Sequence, residues 1–198
     1  VAEEVLVDPA VSRAKFDREV AQYREREDEY VRRGWFLVKA EYPEVFVVFG
    51  APQLSPPALV FGALLDFTDY DLWPPSVKLV NPFTKEPYKN KDLPRRLPRQ
   101  PTVPADQALA GQVQFIQPQD LMVAHDPEDV PFLCIPGVRE YHEHPAHSGD
   151  SWLLHKDSGE GTLYFLLDQI HRYGVQPIAA YNVVMQPIIQ YAQNELPE

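Results

Sequence analysis

Between Trp35 and Asn81 the chain carries four short β-rich runs, "WFLVKAE", "VFVVFG", "ALVFGALLDF" and "SVKLVN". They are separated by "YPE", "APQLSPP" and "TDYDLWPP", which are rich in prolines that fix φ and in Asp and Ser side chains that bond their own backbone. With no helical period among them, the runs predict an antiparallel four-stranded meander. One face of such a sheet has to be covered by another layer. The preceding residues supply one. Asp8 followed by Pro9 is a helix start, with a side-chain acceptor at the cap and then a residue whose missing N–H costs nothing there. A helix is expected over about 9–33, with Phe16, Val20, Tyr23 and Tyr30 on one stripe and Gly34 as the stop. Arg13, Arg18, Glu25, Glu27 and Asp28 suit its wet side. The fold class read from this order is α+β.

Downstream, "GEGTLYFLLDQIHRYG" sets Leu163, Leu166, Leu167 and Ile170 on one side and ends at Gly174, predicting a core helix over about 161–173. "GQVQFI" reads as a further short strand. The tail from Pro177, "IAAYNVVM" and "IIQYAQNEL" split by Pro187, fits two short helices or a strand and a helix equally well. There is no internal repeat and no Gly-rich phosphate loop. The length of 198 residues suits a single domain, with a core over about 10–175 and a C-terminal extension over 176–198. The 21 prolines, about twice the usual share, point to a loop-rich structure.

A formal charge of −11 argues against nucleic-acid or anionic-membrane binding, because both need a positive field over the docking face. Charge is nevertheless segregated. Residues 82–104 hold six Lys or Arg against two acids, an exposed proline-pinned loop or a docking loop for an acidic partner surface or a nucleic-acid strand. No apolar run approaches the ~20 residues that cross a bilayer, and no signal-peptide pattern opens the chain, so a cytoplasmic location is expected. One cysteine cannot form an internal disulfide, which agrees with a reducing compartment.

That cysteine opens the stretch richest in chemistry, "CIPGVREYHEHPAHSGDSW", where Cys134 precedes His142, His144 and His147 with Glu140 and Glu143 among them. Three readings compete for Cys134. As a nucleophile it needs help to ionise, since a free thiol with a pKa of roughly 8.5 is mostly protonated at neutral pH; His125 or the histidine cluster can give that help. As a zinc ligand it would join two His and a carboxylate in a tetrahedron. As a buried small hydrophobe it would do neither. The histidines alone also suit a solvated, pH-sensitive loop. A zincin site fails on spacing, because the second His of H-E-x-x-H would fall at Ala146 and Pro145 would break the helix. A Ser-His-Asp hydrolase drawing on Ser148 or Ser151, His155 and Asp150 lacks a G-x-S-x-G turn. Trp152 reads as a core residue, and Asp150 or Ser151 as a cap or an acceptor for a ligating His.

The order of helix, four-stranded meander, Pro-Pro turn at "YDLWPPSVKLVNPF", lone cysteine after a long loop, downstream Trp and helix resembles the ubiquitin-conjugating enzymes over residues 10–175. Trp73, Pro74 and Pro75, with Val77 and Leu79, stand where that family has its Tyr-Pro-x-x-Pro-Pro turn and last strand. The family's His-Pro-Asn is replaced by "AHDPEDVPFLC", with His125 nine residues before Cys134 and no Asn for the oxyanion. Trp152 lies eighteen residues beyond Cys134, so the His-rich stretch is an insertion. That insertion is similar to bacterial proteins named as a predicted metal-binding family for a Cys, Glu, His, His set (CEHH). Their genes neighbour prokaryotic ubiquitin-like proteins, activating enzymes and JAB-type peptidases. The resemblance implies Cys134, Glu140 or Glu143, and two of His142, His144 and His147 as ligands of Zn2+. Together the two resemblances imply a bacterial ubiquitin-like conjugation pathway with a role in anti-phage defence. Its partners would be a ubiquitin-like protein, an activating enzyme and a JAB-type peptidase. Cys134 would be an acyl-accepting nucleophile assisted by His125, or a ligand in a non-catalytic zinc-binding adaptor.

Overall fold

The computed structural model describes residues 7–99 and 118–182. Asp8 caps helix α1 (Pro9–Arg24) by accepting from the Ala10 N–H at 2.9 Å. The single helix expected over 9–33 is two. α1 ends where the Arg26 N–H bonds back three residues to the Tyr23 carbonyl. Helix α2 (Glu27–Arg33) restarts at once, with Glu27, Asp28 and Glu29 in its first turn, where acids favour the positive end of the helix. That acidic triplet is the signal for the break. Gly34 closes α2 with φ +88°, and a Cβ there would lie 2.3 Å from the Gly50 carbonyl oxygen, so both conformation and space call for glycine.

The meander forms as expected, with strands β1 (Trp35–Glu41), β2 (Glu44–Ala51), β3 (Ala58–Asp66) and β4 (Ser76–Val80) antiparallel and in the order 1-2-3-4. Alternation sends Trp35, Val45, Val47, Phe49, Phe61, Ala63, Leu65, Val77 and Leu79 into one core. Phe16, Tyr23 and Tyr30 close it from α1 and α2; Leu163, Leu166, Leu167 and Ile170 do so from the C-terminal helix. Each such side chain contributes about 1.5–3 kcal/mol by leaving water. β2 is buried on both faces, because Phe46 and Val48 form a second, smaller cluster with Val80 on the far side of the sheet.

Between Val80 and the C-terminal helix, the regular structure among the described residues is short. Strand β5 (Pro98–Arg99) pairs with β6 (Gln119–Asp120), and β7 (Met122–Val123) pairs with β8 (Phe132–Leu133). Buried Leu97, Leu121, Leu133 and Ile135 root these ladders in the main core. The described part of the basic loop, 82–99, is fastened in places: Lys89 and Lys91 both meet Glu128, and Arg96 meets Asp120. Helix α3 (Arg139–Glu143) follows the cysteine, then three 3-10 turns, then helix α4 (Leu163–Gly174), capped by the Thr162 hydroxyl. The expected strand at "GQVQFI" lies outside the described residues. Of the tail, 178–182 runs without regular structure, and the remainder of the two expected elements lies outside them. No helix among the described residues is long and apolar enough to cross a membrane.

Candidate functional site

Cys134 sits directly after β8, its N–H bonded to the Leu121 carbonyl at 2.7 Å, so the strand ladders hold it at the edge of the core. Its side chain is half-buried and meets His147, Sγ to Nε2 at 3.3 Å. Burial pushes the thiol up from its ordinary value, with Arg99 pulling weakly the other way. Burial also lowers His147, with the neighbouring His144 adding to the effect. Both shifts favour the uncharged state, so at neutral pH the pair rests as thiol and neutral imidazole. In the tautomer protonated at Nδ1, the His147 Nε2 can accept the thiol's proton. His147, but not Cys134, lines a cleft of about 380 Å³ walled by Leu72, Trp73, Trp152 and Leu153, which gives a reactant room on the imidazole side of the pair.

Of the other candidate residues, His144 lies beside His147, with ring centroids 5.7 Å apart, and the rest meet other partners. His125 is exposed, and its Nε2 lies 3.1 Å from Nε2 of His144, with the two rings stacked. His144 also accepts the Ala146 N–H at Nδ1, which puts the proton of a neutral ring on Nε2, facing His125. His142 has both nitrogens engaged, Nε2 on the Pro136 carbonyl at 2.6 Å and Nδ1 on the Asp150 carbonyl at 2.8 Å. Glu140 turns toward β4 and accepts from the Ser76 hydroxyl and the Val77 N–H. Glu143 is exposed at the end of α3. Among the described residues no three His, Cys, Asp or Glu side chains converge to hold a metal ion. In this arrangement the donor set suits zinc in kind but is not gathered around one point. Glu140 and His142 are held by other partners, whereas His144 lies nearer the Cys134–His147 pair.

Tyr141, Glu160 and Arg139, which no motif marks in the sequence, help to hold this segment. The Tyr141 ring stacks on His147 with centroids 3.8 Å apart, and its hydroxyl donates to Asp150 at 2.6 Å. Asp150 also meets His155 Nε2 at 2.6 Å, and the other His155 nitrogen meets Glu160 at 2.5 Å. Asp150 is thus an acceptor twice over, its carboxylate for Tyr141 and His155 and its backbone carbonyl for His142, one of the candidate ligands, while the Ser151 hydroxyl caps the turn at Leu153. Trp152 is buried as expected and donates to the Asp71 carbonyl at 3.0 Å. Two glycines permit this packing: a Cβ on Gly137 would lie 1.8 Å from the Glu160 carbonyl oxygen, and one on Gly161 2.5 Å from the Trp152 ring. Arg139 ties α3 to the Pro-Pro turn through the carbonyls of Thr68 and Pro74.

The clamp around His155 gives the insertion a pH window. The Asp150 carboxylate, assisted by Glu160, raises His155 above its ordinary value, and the His155 ring, with the Tyr141 hydroxyl, lowers Asp150. The His155 contribution is complete below the unfolded imidazole value of about 6.5 and is lost as pH rises through the higher folded one. The Asp150 contribution is complete above about 3.9 and is lost as pH falls through its lower folded value. His155→Gln should therefore cost about 1–2 kcal/mol near pH 5.5, since the clamp is charge-assisted but open to water on one side. By pH 8.5 most of that cost should be gone. Thermal unfolding of both proteins at the two pH values checks this, and an equal gap at both would refute it.

Comparison with known proteins places this architecture in a family. The Y4jH-like (Y4jH) family model matches residues 7–178, which include the sheet, Cys134, the histidine insertion and α4. A protein of Sinorhizobium fredii described as the uncharacterized protein y4jH is 45% identical over 184 residues, 91% of this chain and 90% of that protein. The chain belongs to the Y4jH-like family.

Proposed function

We propose that this chain is an acyl carrier of the ubiquitin-conjugating type, with Cys134 as the nucleophile and His147 as its base. The carrying observation is the 3.3 Å contact between the Cys134 thiol and the imidazole of His147, a residue that lines a cleft. Helix, antiparallel sheet, a short hairpin with the cysteine directly after it, and a C-terminal helix, in that order, support the type. In the reaction, the thiol proton passes to His147 Nε2 and the thiolate sulfur bonds to the carbonyl carbon of an incoming C-terminal thioester. The tetrahedral intermediate collapses by breaking the old C–S bond, and the departing thiolate takes the proton back from His147. An amine of the target then displaces Cys134, forming an amide and regenerating the thiol. An ATP-dependent activating enzyme would supply the thioester. A ubiquitin-like protein and a JAB-type deconjugating peptidase complete the proposed pathway, bacterial and anti-phage in role.

The test uses a ubiquitin C-terminal mercaptoethanesulfonate thioester as acyl donor. One adduct per chain, cleaved by excess thiol or hydroxylamine and absent in Cys134→Ala, is expected. No adduct on a chain whose thiol is titratable would overturn the acyl-carrier reading. If, in addition, the protein purified without chelator carries about one zinc per chain and Cys134→Ser loses it, the competing zinc-stiffened adaptor replaces it.

A further inference from the structure

His147 lies on a three-residue 3-10 turn (Pro145–His147) after the five-residue helix α3, so its ring is not fixed against Cys134 by a long backbone element. What holds it is side chains. Tyr141 covers one face of the ring at 3.8 Å and 21°, a close stack. The Tyr141 hydroxyl is in turn held by Asp150 at 2.6 Å, and Asp150 by His155 at 2.6 Å. His155 ends on Glu160, three residues before α4, and the Glu160 backbone packs against Gly137 too closely to admit a Cβ. The chain Glu160, His155, Asp150, Tyr141 thus runs from the start of a core helix to the face of the imidazole that meets the thiol.

We infer that Tyr141 and Asp150 are positioning residues for His147, transmitting the rigidity of α4 to the Cys134–His147 contact. The inference rests on the reading that this pair does the chemistry. A hydroxyl and a carboxylate serving only to brace the loop would not need an aromatic face laid on His147, whereas alignment of a proton acceptor depends steeply on fractions of an ångström. The Tyr141 hydroxyl does no proton transfer itself. It keeps the ring over His147 from swinging into the cleft.

The decisive variant is Tyr141→Phe, which keeps the ring and removes only its anchor. Two readouts are taken on the full chain: the rate of adduct formation with the ubiquitin thioester, and the His147 ring-proton resonances, which the stacked ring shifts. Tyr141→Phe should slow the rate about tenfold and move the resonances toward those of an uncovered imidazole. Asp150→Asn, with one oxygen left to share between Tyr141 and His155, should fall between Tyr141→Phe and the unaltered protein on both. A rate within twofold of the unaltered protein, or unmoved His147 resonances, would overturn the inference. If the unaltered protein forms no adduct, the acyl-carrier reading fails by itself, and the resonances alone then decide whether Tyr141 positions His147.

Discussion

His147→Ala should lower the rate of acyl transfer to Cys134 by about 10²-fold or more at pH 7, the range a positioned general base supplies. The expectation follows from the state of the pair. Were the thiol held as a thiolate by a charged imidazolium, removing the histidine would mainly raise the thiol's pKa. Here burial raises the thiol and lowers the imidazole, so no resting thiolate exists to be lost and the proton moves only during attack. The pH profile separates the two cases. The unaltered protein should gain activity as pH rises through an imidazole value below the ordinary 6.5 or so, then stay flat through neutrality. His147→Ala should lose that limb and gain activity only where the thiol ionises unaided, above the ordinary thiol range. Transfer assays from pH 4.5 to 9.5 check this. A variant that keeps the low-pH limb would show that another group, with His125 the first to examine, takes the proton.

Much of this architecture is legible in the sequence because it rests on local periodicity. The four strands, the core stripe of α4 and the cap at Asp8 all follow from side-chain spacing and turn residues. The elements that set the cysteine are not so readable: β5 to β8 are two residues each, too short for any alternation to show. At the site, composition alone identifies the neighbourhood, one cysteine and three histidines within fourteen residues. It cannot say which histidine meets the thiol, because that depends on how α3 and the following turn are folded back. The resemblance to conjugating enzymes directed attention to His125, nine residues upstream, whereas the structure stacks His125 on His144 and brings His147 to the sulfur. Tyr141 and Glu160 carry no signal in a single sequence: a tyrosine on a short helix and a glutamate in a turn are ordinary until their partners are known.

Glu19 makes the same point in the core, and its removal carries the largest expected loss of stability. It is 4% exposed on α1, where an unpaired carboxylate would be costly, yet its partners come from distant parts of the chain. The Leu163 N–H, at the first position of α4, donates to it at 3.1 Å; the buried Tyr70 hydroxyl does so at 3.4 Å, and Arg18 approaches from solvent at 3.4 Å. The carboxylate therefore satisfies a donor that an isolated helix N-terminus leaves orphaned, at the end of the helix dipole that favours negative charge. Glu19→Ala would strand that N–H and the tyrosine hydroxyl and open a small void. A loss of about 3 kcal/mol is expected, lowering Tm by roughly 6–12 °C for a domain of this size. Glu19→Gln should lose less, since its amide oxygen can still accept one of the two donors. The loss should also reach the site, because Glu160, Gly161 and Thr162 lead directly into α4 and carry the supports of His155 and Trp152. Thermal unfolding at pH 7 reads the first effect, and the His147 resonances of folded Glu19→Ala well below its Tm read the second. A Tm within 2 °C or so of the unaltered protein would mean that water replaces the carboxylate at the start of α4, and that the helix is held there by apolar packing alone.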